Sequence, residues 1–169
     1  MQRSNDLEVH MKKSIFFLVL LLPATVALAF NQPTELNRIK TVNVVVGDLP
    51  EELVANGAQK EILVTTLEDA LKTAGLTVLG QGRFSDTVPT VSLRVSALRP
   101  PNGRFFALDV VLDLLDNVSS SRTAGMFGAI VWSKDVLQLL GTTDLGRIVE
   151  AEKKLVDEFL TDYAQANPR

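Results

Sequence analysis

Acid–base and nucleophilic chemistry near neutral pH draws first on histidine and cysteine. This 169-residue sequence has one histidine, His10, and no cysteine. His10 falls in a leader-like N-terminal segment, so a Ser-His-Asp triad, a Cys-His pair and a zinc site of ordinary ligands are excluded for the rest of the chain. Carboxylates remain. Asp109 and Asp113 share one face of a strand pattern, but four residues at a rise of ~3.3 Å put them about 13 Å apart. Glycosidase pairs stand roughly 5–5.5 Å or 6.5–9.5 Å apart, so this pair reads as two solvated strand positions. Glu150, Glu152, Asp157 and Glu158 read as the wet surface of a helix, and no alternating Asp/Asn calcium loop is present. The glycines of 80–82 and 125–128 lack both the lysine of a phosphate loop and GxGxxG spacing. No metal or cofactor is expected. Trp132 and Tyr163 are single aromatics on amphipathic segments, which fits core positions better than a pocket lining.

The clearest architecture is a hairpin over residues 90–115. Val91, Leu93, Val95 and Ala97 alternate with Thr90, Ser92, Arg94 and Ser96, the period of a half-buried strand. On the return leg Phe106, Leu108, Val110, Leu112 and Leu114 form one row, and Ala107, Asp109, Val111 and Asp113 the other. Asn102-Gly103 is a favoured hairpin dipeptide, but Pro100 and Pro101 cannot donate to a ladder. A wide loop over 99–104 is therefore expected, pairing Val95 with Leu108 and Arg94 with Asp109. A tight Asn-Gly turn would shift the register by two and set Arg94 opposite Val111.

Met11-Lys12-Lys13, the apolar run 15–22, Pro23 and Ala27-Leu28-Ala29 have the form of a secretory signal peptide, with cleavage expected after Ala29. The run is short of the ~20 residues a spanning helix needs. Residues 1–10 resemble an upstream extension, with Met11 the better start. Residue 30 is Phe, not a lipid-bearing cysteine, so the mature protein is expected to be periplasmic or secreted and not membrane-spanning. Without disulfides it must rely on its core. About 140 residues suffice for that, burying roughly two thirds of the unfolded surface. The whole chain carries 17 Lys+Arg and 20 Asp+Glu, and loss of residues 1–29 leaves about −4 net. No basic run longer than two survives, which argues against a nucleic-acid partner.

The organisation follows: 1–29 extension and signal, 30–40 polar spacer, 41–169 one domain. Residues 41–46 are β-branched and read as a strand. Gly47 to Glu52 turns into a short helical piece that Gly57 interrupts. Ile62, Leu63, Leu67, Ala70, Leu71 and Ala74 share a helical face, which Gly75 ends. A short strand 76–79, a loop 80–88, the hairpin and a strand from 125 follow. That last strand contains Trp132 and bends at Lys134-Asp135. A final helix starts at 141–144, its stripe carried by Leu145, Ile148, Val149, Leu155, Val156, Phe159, Leu160 and Tyr163. The order β-α-β-β-β-β-α implies an α+β fold: a mostly antiparallel sheet of four or five strands with two helices on one face.

The ending Val156-Asp157-Glu158-Phe159-Leu160, Tyr163, Asn167-Pro168 resembles small exported bacterial proteins of uncharacterised function, in which a Trp-bearing strand precedes the last helix. In topology the layout is similar to the amino-terminal domain of TolB and to LptE-type envelope modules. The resemblance implies an envelope setting and no particular activity. The expected function is a non-catalytic binding module whose partner is another envelope or secreted protein. Its contact surface is the outer row Ser92, Arg94, Ser96 and Asp109, with Trp132 a further binding candidate. A small-ligand or lipid carrier with a pocket between sheet and helices is the alternative, and a carboxylate-based enzyme the second alternative.

Overall fold

The computed structural model describes residues 36–81, 87–100, 103, 105–119 and 126–168. The signal-like segment with its cleavage at Ala29, the first part of the 30–40 spacer and most of the 80–88 loop lie outside the described residues. Among these residues five strands form one sheet: β1 (Thr41–Val46), β2 (Thr77–Gln81), β3 (Thr90–Leu98), β4 (Phe105–Ser119) and β5 (Met126–Gly141). Their spatial order is β2-β1-β3-β4-β5. The long β3–β4 and β4–β5 ladders are antiparallel, whereas β1 runs parallel to both β2 and β3. Among the described residues three helices accompany them: α1 (Glu51–Ala55), α2 (Lys60–Thr73) and α3 (Gly146–Ala166). The fold is α+β, with a mixed sheet.

Alternation sets the faces. Val42, Val44 and Val46, then Val91, Leu93 and Val95, then Phe106 to Leu114 at every second residue, are all buried beneath the helices. On α2 the buried stripe is Leu63, Leu67 and Leu71. Ile62, expected on that stripe, is exposed instead, because its 100° step from Leu63 carries it off the face. Gly75 adopts a left-handed φ of 92°, and the Leu76 N–H returns to the Leu71 carbonyl at 3.1 Å, closing the helix as its sequence promised.

Four expectations need correction. The hairpin takes the second register: Ala97 faces Leu108, Val95 faces Val110 and Arg94 faces Val111. The ladder does stop at Leu98 and Ala107, so the loop is wide, and the Gly103 N–H within it donates to the Pro100 carbonyl. Arginine's length resolves the charge: Arg94 reaches diagonally to Asp113. Secondly, β5 is irregular at Val131, not at Lys134-Asp135. Trp132 pairs with Leu114 and Ile130 with Leu115, leaving Val131 as the extra residue. Thirdly, α3 begins at Gly146. Before it the Asp144 N–H turns back to the Gly141 carbonyl, and a side chain at Gly141 would meet Asp144 Oδ2 at 2.9 Å.

The fourth correction concerns the spacer, whose described end belongs to the core. Leu36 and Ile39 are buried, and the C-terminal motif holds them. Tyr163 donates its hydroxyl to the Ile39 carbonyl at 2.7 Å. Asn167 donates through Nδ2 to the Leu36 carbonyl and accepts at Oδ1 from the Arg38 N–H. Phe159 lies beneath, with Tyr163 stacked on one side and Trp132 edge-on at 5.1 Å. Phe159, Tyr163 and Asn167 of that ending therefore have structural tasks.

Candidate functional site

The sheet face away from the helices is covered by no helix or strand among the described residues. Register fixes which side chains share it. From one end, the rows across β3, β4 and β5 read Thr90–Leu115–Ile130, Ser92–Asp113–Ser133, Arg94–Val111–Asp135, Ser96–Asp109–Leu137 and Leu98–Ala107–Leu139. Polar rows occupy the middle, and the last row is apolar.

Asp113 is the hub. Its side chain is only 3% exposed, yet it accepts from Arg94 Nη2 at 2.9 Å and from Ser133 Oγ at 2.6 Å. A buried carboxylate needs such donors, because losing water without them costs several kcal/mol, on the order of 1–3 or more. Arg94 is 59% exposed, so its outer edge faces solvent while one nitrogen is committed. The expectation that Asp113 is a solvated strand position is thus corrected. Asp109 is half-buried opposite Ser96, not Arg94.

Of the expected site residues, Ser92, Arg94, Ser96 and Asp109 are brought together on this face, with Ser92 directly across from Asp113. Trp132 is not. It points to the helix side, is 8% exposed, and gives its indole N–H to Asp162 Oδ2 at 2.9 Å. Ser133 escaped the sequence reading, because the bulge at Val131 resets the alternation of β5. Leu137 and Leu139, 74% and 62% exposed beside the polar rows, escaped it for the same reason.

Glu152 also departs from expectation. It is fully buried on α3, not on its wet surface, and neither carboxylate oxygen has a hydrogen-bond partner. Burial pushes its pKa up to about 8, against a smaller opposing pull from Lys153. Its spacing was the available signal: Ile148, Leu155, Val156 and Phe159 stand four before and three, four and seven after it, all buried. Among the described residues no group of three or more acidic, His or Cys side chains is placed to hold a metal ion. The described depressions open on the outer surface of α3 and beside the entry to β1. No helix of the described residues is long and apolar enough to cross a membrane.

No protein-family model matches the chain, and no curated protein sequence does. Among solved structures it is similar to a PelC dodecamer from Paraburkholderia phytofirmans. That likeness has 18% identity over 74% of this chain and 89% of that one, with a TM-score of 0.38. It is also similar to a minor lipoprotein from Acinetobacter baumannii, at 10% identity over 77% of this chain and 92% of that one, with a TM-score of 0.35. At these levels neither likeness carries a functional assignment.

Proposed function

We propose that this is an exported, non-catalytic binding module that engages another envelope or secreted protein through the open face of β3, β4 and β5. One observation carries the reading: a buried Asp113 that holds Arg94 with more than half of that side chain exposed, on the same sheet face as the exposed Leu98, Leu137 and Leu139. An arginine held by a buried partner on a face that also carries large apolar side chains is the composition of a protein contact, in which arginine and apolar residues anchor and a pre-set rotamer lowers the entropic cost. The chemistry available there fits binding and not turnover. Ser133 gives its hydroxyl hydrogen to the same carboxylate that holds Arg94, so both side chains are engaged in a fixed polar cluster. Export rests on the signal-like pattern ending at Ala29.

The test is site-specific photocrosslinking in the native envelope. A photoreactive residue at Ser96 is expected to capture one reproducible partner, and one at Lys154 on the far side of α3 is not. Equal capture from both positions, or loss of none of it on Arg94→Ala, would sink the reading.

A further inference from the structure

The sheet ends on β5, and among the described residues no strand lies beyond it. At Met126–Gly141 this edge is 16 residues long, against 5 for β2 at the opposite edge. An edge strand presents a row of unpaired N–H and C=O groups, and monomeric proteins blunt it with charges, prolines or bulges. The first half of β5 is blunted in this way, by the bulge at Val131 and then by Lys134 and Asp135. From Val136 onward it reads Val-Leu-Gln-Leu-Leu-Gly, without a charge, a proline or a register shift. Leu137 and Leu139 are the exposed residues of that segment.

We propose that Val136–Gly141 pairs antiparallel with the same segment of a second copy of this chain, about a two-fold axis at Gln138, so that two five-stranded sheets become one continuous sheet. The case for a second copy is self-complementarity. In a two-fold antiparallel pair one residue faces itself, and residues equally far to either side face each other. An axis at Lys134 sets two ammonium groups opposite each other, and an axis at Asp135 sets two carboxylates, both unfavourable. An axis at Val136 opposes Asp135 to Leu137 and Ser133 to Leu139. An axis at Leu137 opposes Asp135 to Leu139, and one at Leu139 shortens the overlap.

At Gln138 the pattern closes. Leu137 meets Leu139 of the second copy, twice over. Val136 meets Leu140, and the favourable pairing ends there, because Asp135 comes opposite Gly141, where Asp144 Oδ2 stands 2.9 Å from the place a side chain would take. The two members of each opposed pair share a face, because residues 136, 138 and 140 lie on the helix side and 137 and 139 on the open side. The apolar row Leu98–Ala107–Leu139 then runs on across the seam into Leu137 of the copy. This pairing takes up Leu137 and Leu139, which the proposed binding face also uses, but leaves Arg94 and Ser96 open, and self-association of the purified chain is measured without any envelope partner.

Two measurements on the purified protein decide it. Sedimentation equilibrium is expected to show a monomer–dimer equilibrium near micromolar concentration, the range for an interface at the small end of specific contacts, about 1,200 Å2. The double substitution Leu137→Lys, Leu139→Lys opposes lysines across the seam and should weaken the dimer at least tenfold with thermal unfolding unchanged. Because the chain has no cysteine, Gln138→Cys alone should form a disulfide-linked dimer on mild oxidation, and a mixture of Leu137→Cys and Leu139→Cys should cross-link. Ser96→Cys on the open face should do so far less. A monomer at every concentration overturns the proposal, as does a dimer indifferent to the lysine pair, equal cross-linking from Ser96→Cys, or an edge that captures an unrelated extended peptide while the protein stays monomeric.

Discussion

Asp113 and Glu152 are both carboxylates taken out of water, one on each side of the sheet, and the protein treats them in opposite ways. Asp113 sits on the open face under two donors, Arg94 Nη2 and Ser133 Oγ. Glu152 projects from α3 into the apolar side with no donor for either oxygen. Burial therefore costs little at Asp113, and the carboxylate organises its neighbours. At Glu152 it penalises the charged form outright, and the pKa rises to about 8. The comparison separates two meanings of a buried charge: one positions a surface, and the other works against the fold as pH rises.

Glu152 should show the largest effect. Its folded pKa lies above its unfolded value, so between about 4.5 and about 8 the folded state holds a proton that the unfolded state has released. Its contribution to stability is therefore greatest at low pH, and it falls by up to roughly 1.4 kcal/mol per pH unit through that window, levelling off above it. Glu152→Leu should remove this slope and stabilise the protein by on the order of 3 kcal/mol at pH 8. Urea unfolding of both proteins from pH 5 to pH 9 checks it, and parallel curves for wild type and variant would break the contrast.

Asp113→Ala comes next and should act with the opposite sign, destabilising by about 1–3 kcal/mol as its two donors lose their acceptor. Asp113→Asn keeps an acceptor and should cost less. Amide hydrogen exchange along β3 and β5 would show whether the loss is local to the rows that Asp113 joins.

The smallest effect is expected at Arg94→Ala. More than half of this side chain is exposed, so its removal lets water reach Asp113 in place of the guanidinium, and the solvent-screened pair is worth less than about 1 kcal/mol to stability. Its loss should appear instead as weakened partner capture from the open face. A change in thermal stability as large as that of Asp113→Ala would mean that Arg94 is structural after all.

Much of the fold was legible because it depends on local period and punctuation. The bounds of β1, the stop at Gly75 and the buried rows of β3 and β4 all follow from alternation, glycine and β-branching, which act over a few residues. Glu152 was misplaced on the wet surface: its spacing from Ile148, Leu155 and Phe159 put it on the buried stripe, but its polarity argued for the surface. The candidate site was half legible. Ser92, Arg94, Ser96 and Asp109 share a face in either hairpin register, since a shift of two preserves the parity of the strand. Ser133, Leu137 and Leu139 were not, because one extra residue at Val131 reverses the parity of the strand that carries them.

The amino-acid sequence alone determined the element order, the absence of histidine and cysteine chemistry beyond His10, and the split of the hairpin into an apolar and a polar row. These are properties of residue type and near-neighbour spacing. Tertiary structure decided the partner of Arg94, the strand on which the open face ends, and the burial of Glu152 and of Leu36 and Ile39. Each depends on which distant segments meet. Strand parity constrains those meetings without choosing among them, and the choice falls to the packing of α3 and to the extra residue in β5.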